Sequence, residues 1–249
     1  MNNQPLKNKV AVVTGAGRGI GRAIAVAYAR AGAAVACAAR TQPEIDDTVS
    51  TIVAAGGQAL AVPTDVTDLR SVSHLFETIA RHFNGVDILV INAGANYDRR
   101  PVEDSAPLDW QRTLAVNLVG AYYCAQAAIP YMKARGAGKI ITIGSGLGHR
   151  GTAGNSAYAC SKAGLWMLTR VLAQELWAYN ISANELIPGP VNTTIDAGQA
   201  VPQQSVRGFE SEWVKEPEDV IGLALFLATQ PDIGPTAQSF SLMRRDNSG

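Results

Sequence analysis

Several things are scarce in this 249-residue chain. It has only three cysteines, Cys37, Cys124 and Cys160, far apart and set among apolar neighbours. That spacing excludes a disulfide framework or a zinc site and suits buried thiols in a reducing compartment. The three histidines, His74, His82 and His149, show no ligand spacing either, so packing or surface roles are expected. Net charge is absent: 21 basic and 21 acidic residues cancel, which leaves no global field to attract nucleic acid, an anionic membrane or a highly charged substrate. No uninterrupted apolar run approaches the roughly 18 residues of a membrane span. The N-terminal stretch MNNQPLKNKVAVVTG lacks the basic-then-apolar order of a signal peptide. A cytoplasmic, soluble protein with no nucleic-acid and no membrane partner is therefore expected. Internal repeats and low-complexity tracts are missing as well.

What is present is core material. At 47% hydrophobic, the chain can bury a large interior, and 1–249 reads as one α/β domain and not two small ones. Residues 9–14 (KVAVVT) form a short β-branched run of the kind a buried parallel strand requires. They lead into Gly15-Ala-Gly-Arg-Gly-Ile-Gly21 and then a helical pattern over 20–31. Gly15, Gly19 and Gly21 remove Cβ atoms where a backbone must turn tightly and approach a ligand, and the helix start offers free N–H groups to a phosphate. The spacing Gly-x-x-x-Gly-x-Gly differs from the G-x-G-x-x-G dinucleotide fingerprint, but the strand before it and the helix after it favour the same use.

A second strand over 34–39 completes a βαβ unit. In such units an acid at this strand's end takes the ribose 2′-hydroxyl of NAD, whereas arginine suits a 2′-phosphate. Here Arg40 follows directly, no acid occurs until Glu44, and Arg18 in the glycine turn adds a second cation. These residues favour NADP(H) with NAD(H) possible; an ordinary solvated strand-end arginine is the plainer alternative for Arg40. Helix, strand, helix and strand signals continue at 43–55, 58–63, 69–83 and 87–91, the last running into Asn92-Ala93-Gly94. Asp65, just after the third strand, suits either a turn cap or a contact with adenine.

A helical pattern over 107–132 carries Asn117 among Leu114, Val116, Leu118 and Val119. A buried amide there needs partners, either as a filler of a helix kink or as a holder of water near the chemistry. Residues 139–143 read as a fifth strand that delivers Ser145, with a glycine-rich loop behind it. Then comes Tyr158-Ala-Cys-Ser-Lys162, opening a helix over 157–179 that is apolar nearly all round, as in interior or subunit-facing helices. On a helix, a spacing of four puts the phenol and the ammonium on one face, about 5–6 Å apart at Cβ. A neighbouring ammonium favours the phenolate, which makes Tyr158 a candidate general acid/base. Ser145 lies in I-G-S-G, not in the G-x-S-x-G elbow, and no histidine is placed as its base, so it is not read as a nucleophile. A strand over 181–187 ends at Pro188-Gly-Pro-Val191, a polar stretch follows, and a helix over 218–229 and a strand over 236–243 close the chain. The polar stretch suits a substrate lid at 192–216 or a loose surface connection.

Together, Thr14 to Gly21, Asp65, Asn92-Ala93-Gly94, Asn117, Ser145, Tyr158-x-x-x-Lys162 and Pro188-Gly189 resemble the short-chain dehydrogenase/reductase family, with 3-oxoacyl-carrier-protein reductases and sugar or polyol dehydrogenases as the nearest look-alikes. The resemblance implies a doubly wound, Rossmann-type, mostly parallel sheet of seven strands with helices on both faces, in a homotetramer or dimer. It implies that Tyr158 exchanges the proton of an alcohol or ketone substrate, that Lys162 lowers its pKa and binds the nicotinamide ribose, that Ser145 hydrogen-bonds the substrate oxygen, and that Asn117 anchors a relay water. Gly15, Gly19, Ile20 and Gly21 would surround the pyrophosphate. Asp65 and Val66 would touch adenine, Asn92, Ala93 and Gly94 would line the cofactor's path, and Pro188, Val191 and Thr193 would hold the nicotinamide carboxamide. Two departures stand out: Ile91 replaces the first asparagine of the family's Asn-Asn-Ala-Gly, and its C-terminal Thr-Gly-x-x-x-x-Val-Asp-Gly-Gly is replaced by Pro235-Thr-Ala-Gln-Ser-Phe-Ser-Leu-Met-Arg-Arg245. A substrate pocket walled by Asn96, Tyr97, Leu147, His149 and Asn155 is expected. A cofactor-binding sensor without turnover is the competing reading, and the intact Ser145, Tyr158 and Lys162 speak against it.

Overall fold

The computed structural model describes residues 4–193 and 213–243. Seven parallel strands form a sheet in the order β3-β2-β1-β4-β5-β6-β7. They are β1 (Val10–Thr14), β2 (Ala34–Ala39), β3 (Gln58–Pro63), β4 (Ile88–Ile91), β5 (Gly138–Ile143), β6 (Ile181–Ile187) and β7 (Ser239–Ser241). Strands β1, β4, β5 and β6 are buried along their whole length. That is why β1 and β4 read as near-continuous apolar runs and not alternating ones, while β5 and β6 also bury Lys139, Thr142, Ser182, Asn184 and Glu185.

Parallel strands need crossover connections, and helices supply them. The helices are α1 (Gly19–Arg30), α2 (Gln42–Ala54), α3 (Leu69–Phe83), α4 (Pro107–Leu114), α5 (Gly120–Arg135), α6 (Leu147–Arg150), α7 (Ser156–Leu176) and α8 (Ile221–Ala228). Two cores result, one on each face of the sheet. Ile24, Tyr28, Ile45 and Leu227 cover one face with α1, α2 and α8, while Phe76, Met132, Leu165 and Leu172 cover the other with α3, α5 and α7. Each fully buried aliphatic side chain contributes about 1.5–3 kcal/mol to the stability of this arrangement.

Four expectations need correction. The helix expected over 107–132 is interrupted: Ala115–Val119 is a π turn, in which Gly120 N–H reaches back five residues to Ala115 O. The final helix opens with a 3₁₀ turn, Pro217–Val220, before α8. The last strand shrinks from 236–243 to three residues, because Ala237 adopts a left-handed φ of 60° that extended backbone cannot hold. Cys160 is exposed on the outer side of α7, whereas Cys37 and Cys124 are buried, their thiols pushed up to about 12 by burial. Among the described residues no helix is long and apolar enough to cross a membrane.

Candidate active site

Strand order reverses between β1 and β4, so the connections leaving these two strands run to opposite faces of the sheet and a crevice opens at their carboxyl ends. A cavity of about 470 Å³ fills that crevice. Of the residues singled out in the sequence, its wall contains Gly15, Arg18, Gly19, Ile20, Arg40, Asp65, Val66, Asn92, Ala93, Gly94, Ser145, Tyr158, Lys162, Pro188, Val191 and Thr193. Gly21 and Asn117 stand behind the wall, each bracing it.

The glycine turn shows why small residues are required. Gly15 and Gly19 have φ of 66° and 54°, the left-handed region that other residues avoid. At Gly21 a Cβ would run into the Gly15 carbonyl and Asn92 Nδ2, so this glycine permits the turn to fold onto the start of α1 and does not itself face the crevice. Asn92 clamps the turn from the end of β4, its Nδ2 donating to the Thr14 carbonyl at 2.8 Å and the Gly15 carbonyl at 3.2 Å. Thr14 Oγ1 accepts the backbone N–H groups of Asn92 and Ala93, both at 3.0 Å. Helix α1 has no side-chain N-cap and no acidic residue in its first turn. Its free N–H groups and positive dipole end are left for an anion, which fits a dinucleotide pyrophosphate.

Sequence reasoning did not place several wall residues of this half, Gly17 and Glu44 among them. Gly17 lines the crevice, and Glu44, on the first turn of α2, lines it as well while pairing with Arg18 at 3.8 Å. Its position at the start of a helix that follows strand β2 was the available signal. Asp65 settles as a turn cap, Oδ1 accepting from Thr67 N–H at 2.9 Å and Thr67 Oγ1 at 2.7 Å, while still facing the crevice.

At the other end, Lys162 is 3% exposed and its ammonium donates to the Ile143 carbonyl at 2.7 Å. Burial pushes its pKa down to about 8, with the nearby Glu185 carboxylate acting in the opposite direction. Its Nζ lies 5.7 Å from the centre of the Tyr158 ring, one helical turn earlier on α7. Ser145 stands just beyond β5 and accepts the Leu147 N–H at 3.2 Å.

Asn117, on the π turn, is almost completely engaged. Its Oδ1 accepts from Ala95 N–H at 2.8 Å, and its Nδ2 donates to Ala95 O and Ser161 Oγ, both at 2.9 Å. Ser161 Oγ in turn donates to the Tyr158 carbonyl at 2.8 Å. Asn117 thus ties the loop after β4 to the helix that carries Tyr158. The bracing alternative accounts for both amide hydrogens, and a water would have to rely on its main chain or a remaining oxygen lone pair.

The expected substrate walls are only partly found. Asn96, Leu147 and Asn155 line the cavity, joined by Arg99, Arg150, Thr152 and Met243, which sequence reasoning did not name. Tyr97 and His149 do not line it. The Tyr97 ring is covered by the Arg112 guanidinium at 4.4 Å, and His149 turns inward to Glu185 at 2.9 Å. The segment expected as a lid lies mostly at 194–212, outside the described residues. Its flanks meet, Val191 bridging Lys215 as parallel neighbours.

A family model described as short chain dehydrogenase matches residues 9–203. The chain is 36% identical over 223 residues to a cis-4-hydroxycyclohexanecarboxylate dehydrogenase of Sinomonas cyclohexanicum, covering 89% of each protein. It is 34% identical over 244 residues to a 3-oxoacyl-[acyl-carrier-protein] reductase of Synechocystis sp., covering 95% of this chain and 96% of the relative. The solved structure of an NAD+-bound xylitol dehydrogenase superimposes with a TM-score of 0.88 at 25% identity, over 96% of this chain and 98% of that one.

Proposed function

This chain belongs to the short-chain dehydrogenase family and is an NAD(P)-dependent oxidoreductase, and from that premise we propose that it interconverts a secondary alcohol and its ketone with NADP(H) as the preferred cofactor. The observation that carries this reading is one shared crevice: Ser145, Tyr158 and the buried ammonium of Lys162 occupy one end, and the uncapped glycine turn occupies the other.

The nicotinamide supplies or accepts the hydride when bound. The chain's own residues handle the proton and the charge. In ketone reduction Tyr158 gives its phenol proton to the carbonyl oxygen, and Ser145 donates a second hydrogen bond to that oxygen. Lys162, held charged beneath the ring, stabilises the phenolate left behind. In alcohol oxidation the same proton travels back. Asn117 keeps α7 in register with the loop after β4 through Ala95 and Ser161.

Arg40 directly follows β2 and lines the crevice with Arg18, while Glu44 pairs with Arg18 at 3.8 Å; a cation in place of the acid at that strand end supports a 2′-phosphate over a bare hydroxyl. Met243 and Leu147 give the substrate end apolar surface, and Asn96, Asn155 and Thr152 give it polar groups, a mixture suited to a small hydroxylated or carbonyl-bearing molecule. The printed names of two relatives, a hydroxy-acid dehydrogenase and an oxoacyl reductase, lie in the same range. Exposed Val119 and Tyr122 next to and on α5, with Met167 and Val171 on α7, support a homo-oligomer. A monomeric mass by light scattering would overturn that part.

The test is a scan of ketones and secondary alcohols with both cofactors at the nicotinamide absorbance band. Turnover is expected with wild type, and Tyr158→Phe is expected to lose about 10²–10⁴ in kcat with cofactor affinity unchanged. Tight cofactor binding with no turnover on any substrate would favour the sensor reading.

A further inference from the structure

Beside the Ile143–Gly144 turn that Lys162 bonds lies a buried carboxylate that the chemistry above does not use. Glu185, on β6, is 1% exposed in a strand with neighbours on both sides. Its Oε2 receives two hydrogen bonds, from Ser239 Oγ on β7 at 2.5 Å and from His149 Nε2 on α6 at 2.9 Å. A carboxylate has no hydrogen to give, so both neighbours are the donors. Oε1 has no hydrogen-bond partner among the described residues. In the ionised form Oε2 accepts both bonds, that from His149 in the tautomer carrying Nε2–H, and neither is surrendered. Room for the side chain exists only because residue 144 is glycine, where a Cβ would overlap Glu185 Oε1.

An ionised group so deeply placed and half satisfied requires an opposite charge nearby. Lys162 offers one: its ammonium bonds the Ile143 carbonyl, next to the Gly144 against which Glu185 Oε1 packs, and Glu185 opposes its desolvation; His149 at 2.9 Å supplies a second when protonated. Tyr158 on its own helix, the Ile143 carbonyl and Ser145 at the end of β5, and His149 and Arg150 on α6 are the other polar or titratable groups around this end of the crevice.

We propose that Glu185 is a positioning residue for the Tyr158–Lys162 pair: a buried countercharge, held in place by His149 and Ser239, that keeps Lys162 an ammonium in the protein interior. The inference rests on the proposed role of Lys162 beside Tyr158. It adds no covalent step. It also connects the atypical C-terminal segment to the catalytic end, because Ser239 belongs to that segment and holds the carboxylate.

The experiment titrates Lys162 directly in cofactor-free protein carrying ¹³C-labelled lysine, its Cε resonance assigned by its disappearance in Lys162→Met. Wild type should titrate near 8. Glu185→Gln should move the midpoint down by about one pH unit. Glu185→Ala should move it the same way and serves if the glutamine variant does not fold. A midpoint that stays put in either folded variant overturns the proposal. In turnover, the ratio of wild-type to Glu185→Gln kcat for ketone reduction should widen from about twofold near pH 7 to about tenfold near pH 9, as a one-unit displacement requires. A loss equal at every pH marks a purely structural side chain and equally overturns it. The lysine titration needs neither cofactor nor substrate. A chain in which Tyr158→Phe keeps its turnover therefore defeats the proposed function while the Lys162 midpoint still reports on Glu185.

Discussion

The two ends of the crevice are built on opposite principles. At the glycine turn, nearly every group that shapes the site is backbone: left-handed glycines, uncapped N–H groups of α1, and a Thr14–Asn92 clamp that bonds main-chain atoms. At the proposed catalytic end the shaping groups are side chains, Lys162 and Glu185, pressed into a low-dielectric interior, with the more exposed His149 holding Glu185. Backbone sites tolerate no added atoms, whereas charged sites tolerate no change of protonation. One end should be fragile to size, the other to pH.

The largest expected effect tests fragility to size. Gly21→Ala drives a methyl into the Gly15 carbonyl and the Asn92 amide, neither of which can yield without opening the turn. Cofactor affinity should fall at least about tenfold and stability by about 1–3 kcal/mol, read by fluorescence titration and thermal melting. Gly222→Ala, on α8 where a Cβ meets nothing within 4 Å, is the matched control and should be neutral or stabilising by up to about 1 kcal/mol.

Fragility to pH follows from Lys162, which titrates near 8 in the folded protein against 10.5 in the ordinary state. Ketone reduction should fall as pH rises through about 8, approaching tenfold per unit beyond it, because the charge that stabilises the tyrosinate is lost. The sign for stability is the reverse. Between about 8 and 10.5 the unfolded chain binds more protons at this site than the folded one, so this group's contribution to stability rises with pH there. A kcat–pH profile flat to pH 10 would contradict the assignment.

A smaller effect sharpens the border between the two ends. Arg40 faces the crevice and is exposed, where one charge is worth little in packing but much in discrimination. Arg40→Asp should shift the NADPH-to-NADH affinity ratio by about tenfold or more towards NADH, with melting temperature unchanged. An unmoved ratio would reduce Arg40 to a surface cation.

The smallest effect concerns the edge of the sheet. Ala237 holds φ 60° where the family motif has glycine, its carbonyl accepting from Arg170 and its N–H donating to Ala183. Ala237→Gly should stabilise the chain by about 0.5–1 kcal/mol in chemical denaturation, since an L side chain is strained there.

Much of this was legible along the chain. Strands β2, β3 and β6 and helix α3 fall where the sequence pattern puts them, β2 because burial in a parallel sheet favours an uninterrupted apolar run and α3 because it shows a plain helical period. The Tyr158–Lys162 spacing needed only the pitch of a helix. The π turn at Asn117 was not legible, since one extra residue in a helix leaves the apolar pattern almost unchanged and its cause, the clamp on Ala95, is 22 residues distant. Nor was the inward turn of His149, whose partner lies 36 residues away on another element.

Local chemistry in the sequence by itself determined the strand and helix pattern, the phosphate-ready glycine turn and the pairing of phenol with ammonium, because each depends on neighbours within a few residues. Only the tertiary structure decided which side chains distant in the chain meet: that Ser239 and His149 hold the buried Glu185 beside the turn that Lys162 bonds, that Glu44 turns to Arg18, and that Met243 lines the substrate end. The reason is that the energy of a buried charge is set by what surrounds it in three dimensions, and no pattern read in one dimension contains that distance.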